Sequence, residues 1–241
     1  MDVREKNAIV TGGANGIGRC LVNRLTSEKA RVGVLDIDKG ALDSLKKEAP
    51  DAYCRTCDVC DPGQVKESID DFYSRFGSID ILVNNAGVIY NALLVNMRVD
   101  PSISAEIEAW DRIIRTNLSS VFYVTTYAVR KMFLRRTRGV IVNVTSISAS
   151  GNIGQSAYSA AKAGVSALIV TWAKELSSLG IRVVGIAPGF TRTDAVTKSM
   201  TEDVLEDWVS KIPLGRLAKP EEIADGILFL IRNDYVNVRT D

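Results

Sequence analysis

The chain has 241 residues, 46% of them hydrophobic and 24% charged, enough to bury a core without disulfide or metal staples. Thirty basic against twenty-nine acidic residues argue against nucleic acid as a partner, and with no membrane-length apolar run and a charged start, Met1-Asp2-Val3-Arg4-Glu5-Lys6, a cytoplasmic protein is expected. The sequence contains no histidine, which excludes Ser-His-Asp and Cys-His nucleophiles, His-ligated zinc and any imidazole base.

Short apolar runs alternate with helical patterns along the chain. Strands are expected at Asn7–Thr11, Arg31–Asp36, Ala52–Cys57, Asp80–Asn84, Gly139–Thr145 and Arg182–Ala187. Helices are expected near Gly16–Ser27, Lys39–Glu48, Gly63–Phe76, Ser104–Arg136 and Ser156–Leu179, with a last one opening at Pro220. Strands rich in Val and Ile on both faces, separated by helices, imply a parallel sheet covered on both sides. The expected fold is therefore α/β, a doubly wound parallel sheet of Rossmann type, in one domain spanning 1–241. The polar stretch 190–217, broken by Pro213 and Gly215, reads either as a substrate-covering segment or as a plain surface excursion.

The first strand runs into Thr11-Gly12-Gly13-Ala14-Asn15-Gly16-Ile17-Gly18, after which a helix begins. Gly12, Gly16 and Gly18 suit a tight turn and close approach of backbone to a diphosphate, and the helix N-terminus offers N–H groups to phosphate. Asn15 and Ile17 stand among them as further cofactor-binding candidates. Asp36, closing the second strand, suits the 2′- and 3′-hydroxyls of an adenosine ribose and repels a 2′-phosphate. With Ile37 following and no cation at Asn15, NAD is expected over NADP, although such an Asp could also simply cap the next turn.

Cys54, Cys57 and Cys60 form a C-x2-C-x2-C run. On an extended segment, residues three apart point to opposite faces, and Cys20 is distant in sequence, so buried thiols are expected and no metal.

Tyr158 and Lys162 are four apart on an expected helix and share a face. A phenol with an ordinary pKa of about 10 becomes a usable base when an ammonium and a cationic nicotinamide ring favour the phenolate. Ser146, just past the fifth strand, can hydrogen-bond the reacting oxygen beside that phenol.

Gly12-x3-Gly16-x-Gly18, Asn84-Asn85-Ala86-Gly87, Asn117, Ser146 with Tyr158-Ser159-Ala160-Ala161-Lys162, and Pro188-Gly189 occur in the order found in the short-chain dehydrogenase/reductase family, which the chain resembles over about residues 5 to 232. The resemblance implies a carbonyl or alcohol oxidoreductase in which Ser146, Tyr158 and Lys162 are catalytic and Lys162 also holds the nicotinamide ribose. It implies a proton-relay role for Asn117, whose bland reading is a helix-interior side chain bonded to nearby backbone. It further implies that Asn85, Ala86 and Gly87 touch the adenosine half of the cofactor, that Asp58 and Val59 meet the adenine, and that Pro188, Gly189, Thr191 and Thr193 face the nicotinamide. A homodimer or homotetramer is expected on the same ground.

Two stretches depart from the family pattern. Residues 88–109 are longer than expected, and the end, Tyr235 to Asp241, lacks the glycine-containing strand that usually closes the sheet. The stretch 91–97 is similar to its counterpart in 3-oxoacyl-[acyl-carrier-protein] reductases. A 3-oxoacyl thioester is therefore one expected substrate; sugars, polyols and steroids are others, and a non-catalytic NAD-binding scaffold is the rival class. A sugar-nucleotide epimerase also fits Tyr-x3-Lys, but too few residues follow Pro188 for its added substrate domain.

Overall fold

The computed structural model describes residues 1–94, 103–193, 196 and 202–239. The chain forms β1 (Asn7–Thr11), α1 (Gly16–Ser27), β2 (Arg31–Asp36), α2 (Lys39–Glu48), β3 (Tyr53–Thr56), α3 (Pro62–Phe76), β4 (Ile81–Asn84), α4 (Ile103–Ile114), α5 (Ser120–Leu134), β5 (Gly139–Val144), α6 (Ser156–Leu176), β6 (Ile181–Ile186), α7 (Glu202–Ser210), α8 (Pro220–Arg232) and β7 (Val238–Arg239). All strands pair in parallel in the order β3-β2-β1-β4-β5-β6-β7. This is the expected doubly wound sheet. The order reverses between β1 and β4, and such a switch point opens a crevice at the C-terminal strand ends.

Alternation along each strand explains the two-sided apolar runs. Ala8 and Val10 of β1, Ile81 and Val83 of β4, and Val140 and Val142 of β5 face α1, α2 and α8. Ile9, Leu82 and Ile141, each between them in sequence, face α3, α5 and α6. Adjacent side chains of a strand serve opposite layers.

Two expectations need correction. The pattern Ser104–Arg136 predicted one continuous helix, but a wider, π-type turn at Arg115–Ser119 separates α4 from α5. At its centre Asn117 donates to the Ile113 carbonyl, which a plain α-helix would leave to its own backbone, and to the Val88 carbonyl in the loop after β4. The end of the chain does carry a closing strand: Val238 pairs with Val184 and Arg239 with Gly185. It forms without glycine because side chains tie it down. Asn237 accepts from the Val183 N–H at 3.0 Å, and Arg182 donates to the carbonyls of Leu230, Ile231 and Val236. Val238 takes φ +95°, a value that disfavours a β-branched residue. The calls on Met97 to Pro101 and on the last two residues fall outside the described residues.

β2 meets α3 through a close contact. A Cβ at Gly33 would lie 2.5 Å from the Phe72 ring, which is fully buried. Gly33→Ala is therefore expected to destabilise the fold by about 1–3 kcal/mol, a drop in thermal midpoint of roughly 2–10 °C on calorimetry.

Candidate active site

The crevice at the switch point is a cleft of about 1210 Å³ between the glycine loop, the ends of β2 and β3, the loop after β4, and the α4–α5 junction. Gly12, Asn15, Gly16, Ile17, Asp36, Asp58, Val59, Asn85, Ala86, Gly87 and Thr193, all expected to hold the cofactor, line it. Gly18 does not. It lies buried beneath the loop, where a Cβ would come within 2.2 Å of the Gly12 carbonyl oxygen, so its task is to let α1 approach the loop.

Local bonds explain how this rim is held. Asn85 Nδ2 donates to the carbonyls of Thr11 and Gly12 at 3.1 and 2.9 Å, while Thr11 Oγ1 accepts from the N–H groups of Asn85 and Ala86. Asn85 thus clamps the glycine loop to the loop after β4. Asn84 points inward and donates to Thr125 and Asn143, joining β4 to α5 and β5. Asp36 is fixed at the adenosine end, accepting from Ala14 N at 3.0 Å with one oxygen and from Asp38 N at 3.0 Å with the other. Asp58 accepts from Cys60 N at 2.8 Å.

Ser146, Tyr158 and Lys162 come together beyond the other end of this cleft. Ser146 ends the run after β5 and is buried, and Lys162 is buried on α6 with its Nζ donating to the Val144 carbonyl at 2.8 Å. The ammonium lies 5.6 Å from the centre of the Tyr158 ring. Gly87 links this corner to the cleft, since a Cβ there would lie 3.7 Å from Lys162 Nζ and 2.6 Å from Asn117 Oδ1. Asn117 is fully buried; its Nδ2 donates to Val88 O and Ile113 O, and its Oδ1 accepts from Val88 N at 3.2 Å. Its side chain is therefore spent on backbone, holding the loop that follows Gly87.

Across from the triad, the Ile147 N–H donates to Pro188 O at 3.2 Å, bringing Pro188-Gly189 beside Ser146. Thr191 is buried and bonds the Gly189 carbonyl, whereas the Thr193 methyl covers Gly16. The two ends of the 190–217 segment are stitched together: Arg192 N donates to Ala218 O, Ala218 N to Phe190 O, and the Phe190 and Trp208 rings lie 4.1 Å apart.

In the ligand-free chain, burial dominates the electrostatics of this corner. Burial pushes the Tyr158 phenol above its ordinary value, and the Ser146 hydroxyl pulls it only partly back. Burial also pushes the Lys162 ammonium down to about 8. The ammonium lies 5.6 Å from the ring centre, and in the free chain burial is the larger influence on the phenol.

Sequence reasoning missed Cys60, Arg115 and Thr116, which also line the cleft. Arg115 Nε donates to the Cys60 carbonyl at 3.3 Å, and Thr116 Oγ1 lies 3.4 Å from Cys60 Sγ. The available signal was chain proximity to Asn117 for Arg115 and Thr116, and to Asp58 and Val59 for Cys60. Of the cysteines, Cys57 is buried and Cys54 and Cys60 are half-buried, while Cys20 lies apart against Glu221.

The residue set fits a dinucleotide: a glycine cradle closed to side chains, a fixed carboxylate at one end and a buried amine at the other. Comparison with known proteins agrees. The pattern of the short chain dehydrogenase family matches residues 6–204. The chain is 43% identical to a 3-oxoacyl-[acyl-carrier-protein] reductase of Thermotoga maritima, over 97% of this chain and 93% of that protein. Proteins of the same name from Chlamydia pneumoniae and Staphylococcus epidermidis are 38% and 37% identical, over 98% and 93% of this chain and 94% and 91% of theirs.

The buried ammonium yields a stability prediction. Between about pH 8 and the ordinary lysine value of 10.5, the unfolded chain holds a proton that the folded chain has shed. The penalty is therefore full below pH 8, fades as pH rises, and is gone above 10.5. Its size is on the order of 3 kcal/mol before the Val144 bond offsets it. Lys162→Met is expected to melt roughly 5 °C higher than the wild type at pH 7, with the gap closing by pH 10.5 in thermal scans.

Proposed function

The chain belongs to the short-chain dehydrogenase family, and from that membership we propose that it reduces a carbonyl group on a largely apolar substrate, with NADH as hydride donor. As a member it is a nicotinamide-dependent oxidoreductase of carbonyl and CH–OH groups; the direction, cofactor, substrate and residue roles are the proposal. The reading is carried by one observation, the convergence of Ser146, Tyr158 and Lys162 beside Gly87. A scaffold that only bound the cofactor would have no need of a serine hydroxyl set against a buried phenol.

In this reading Ser146 donates to the substrate oxygen and Tyr158 delivers the proton. Burial raises the Tyr158 phenol above its ordinary value in the free chain, which supports its reading as the group that carries the proton to the substrate oxygen. The bound dinucleotide supplies the hydride. Lys162 and Asn117, on either side of Gly87, hold the nicotinamide ribose and the loop beneath it. Pro188, Gly189, Thr191 and Thr193 bound the nicotinamide side, and the 190–217 segment covers the substrate.

The choice of NADH rests on charge at the adenosine end. Asp36, Asp38 and Asp58 line the cleft there, and Ile37, 68% exposed, offers no cation to a 2′-phosphate. Arg19, whose guanidinium reaches the Ala14 carbonyl, is already paired with Glu48 at 2.7 Å.

An apolar substrate is supported by a recess beside α6 lined by Tyr90, Leu93, Leu94, Trp110 and Ala157, adjacent to Tyr158. This lining suits an acyl chain better than a sugar or polyol, and with the named relatives it makes a 3-oxoacyl thioester the first choice. A homodimer or homotetramer is supported by exposed apolar side chains on the helices, Ile107, Phe122 and Phe229 among them. No helix among the described residues is long and apolar enough to cross a membrane.

The test is substrate profiling with NADH and NADPH in parallel. An acetoacetyl thioester, a steroid ketone and an oxidised sugar serve as probes. The thioester is expected to be reduced at least about tenfold more efficiently with NADH, and Asp36→Ala combined with Ile37→Arg to reverse that preference. Tyr158→Phe should lower kcat by about 10²–10⁴ while NADH still binds, read by its fluorescence. An active Tyr158→Phe enzyme overturns the mechanism, and equal use of NADPH overturns the cofactor assignment.

A further inference from the structure

Two hydroxyls behind the candidate site have no part in the reading above. Thr145 is buried between β5 and Ser146, and its Oγ1 accepts from the Ser146 N–H. The same oxygen lies 3.4 Å from Oγ of Ser166, which sits on α6 one turn beyond Lys162. Ser166 Oγ in turn reaches the main-chain carbonyl of Lys162 at 3.0 Å. A hydroxyl carries a single proton, so one order satisfies all three contacts. Ser146 N–H donates to Thr145, Thr145 O–H to Ser166, and Ser166 O–H to the Lys162 carbonyl. The competing acceptor for the Thr145 proton, the Ser146 carbonyl at 3.4 Å, would break this chain.

The same stretch is tied to α6 a second time, because Lys162 Nζ donates to the carbonyl of Val144, the residue before Thr145. Residues 144–146 are thus fastened to the helix at both the tip and the base of Lys162. Tyr158 stands on that helix one turn earlier.

We infer that Thr145 and Ser166 are positioning residues that fix Ser146 against α6, and so against Tyr158, through one continuous hydrogen-bonded chain. This rests on the reading of Ser146 and Tyr158 as the pair that meets the substrate oxygen. The physical need is registration: the two hydroxyls come from different elements, β5 and α6, yet must meet one atom, and a misplacement near 1 Å can cost about 10²-fold in rate. Hydrogen bonds in series polarise one another, so the chain acts as a unit.

The experiment compares Thr145→Val, Thr145→Ser, Ser166→Ala and the Val/Ala pair by two measurements. The first is amide hydrogen exchange at Ser146 in the free protein, which needs no substrate. Ser166→Ala, although it does not touch that amide, is expected to speed its exchange several-fold, as is Thr145→Val, whereas Thr145→Ser restores protection. The second is NADH-driven reduction of an acetoacetyl thioester. Either loss of hydroxyl should lower kcat by about tenfold with KM for NADH within about twofold, Thr145→Ser should recover most of it, and the pair should be no worse than either single change.

Unchanged exchange in Ser166→Ala, additive losses in the pair, or a Thr145→Ser enzyme as impaired as Thr145→Val would each overturn the inference. If Thr145→Val does not fold, Ser166→Ala, at a half-buried position, decides alone. A wild type that fails to reduce the thioester counts against the proposed substrate, while the exchange result still decides whether the chain of hydroxyls exists.

Discussion

Everything at the candidate site is arranged around a buried ammonium. Among the described residues no carboxylate pairs with Lys162; what answers its charge there is one main-chain carbonyl, that of Val144. Such an arrangement is unfavourable for folding and is retained only where the surrounding packing forces it. Here the force comes from the two apolar layers. Val165 and Ile169 of α6 are fully buried against the sheet, and Gly87 beside the amine leaves the space that a Cβ would take from Asn117. The strain is local, and the favourable burial that offsets it is spread over the sheet.

The second constraint is that three loops converge where β1 and β4 part. They come so close that the contacts are backbone to backbone, and polar side chains do the fastening. Asn85 shows this clearly. It resembled a cofactor ligand in sequence, and it does line the cleft, yet its amide is occupied with the carbonyls of Thr11 and Gly12. Asn117 has the same character on the other side of Gly87. The rim of the cleft is therefore stiff before any ligand arrives, which lowers the ordering cost of binding.

Much of this was legible in sequence because the signals were local and periodic. Val-rich runs such as Val140 to Val144 announce a strand buried on both faces, and Gly12, Gly16 and Gly18 announce a tight turn into a helix. Other features were not legible because they depend on contacts between distant residues. The π-type turn at Arg115–Ser119 arises where Asn117 reaches Val88, and the last strand forms because Arg182 and Asn237 tie the chain end to β6 and α8. Neither partner can be named from spacing. The balance at Tyr158 is of the same kind: spacing four apart puts an ammonium on the same helix face, but how strongly burial opposes it in the ligand-free chain is decided by packing.

That last distinction ties the site's electrostatics to its chemistry. An ammonium beside the phenol oxygen would hold the phenolate at rest and favour a base that takes a proton from an alcohol. In this dry corner burial holds the phenol above its ordinary value, and the ammonium lies near both the ring and Gly87. Under the proposed reduction the phenol would meet an oxygen whose negative charge grows during hydride addition, and a proton donor is what such an oxygen requires. Burial, which makes this corner costly to fold, is thus also what sets the resting protonation of Tyr158.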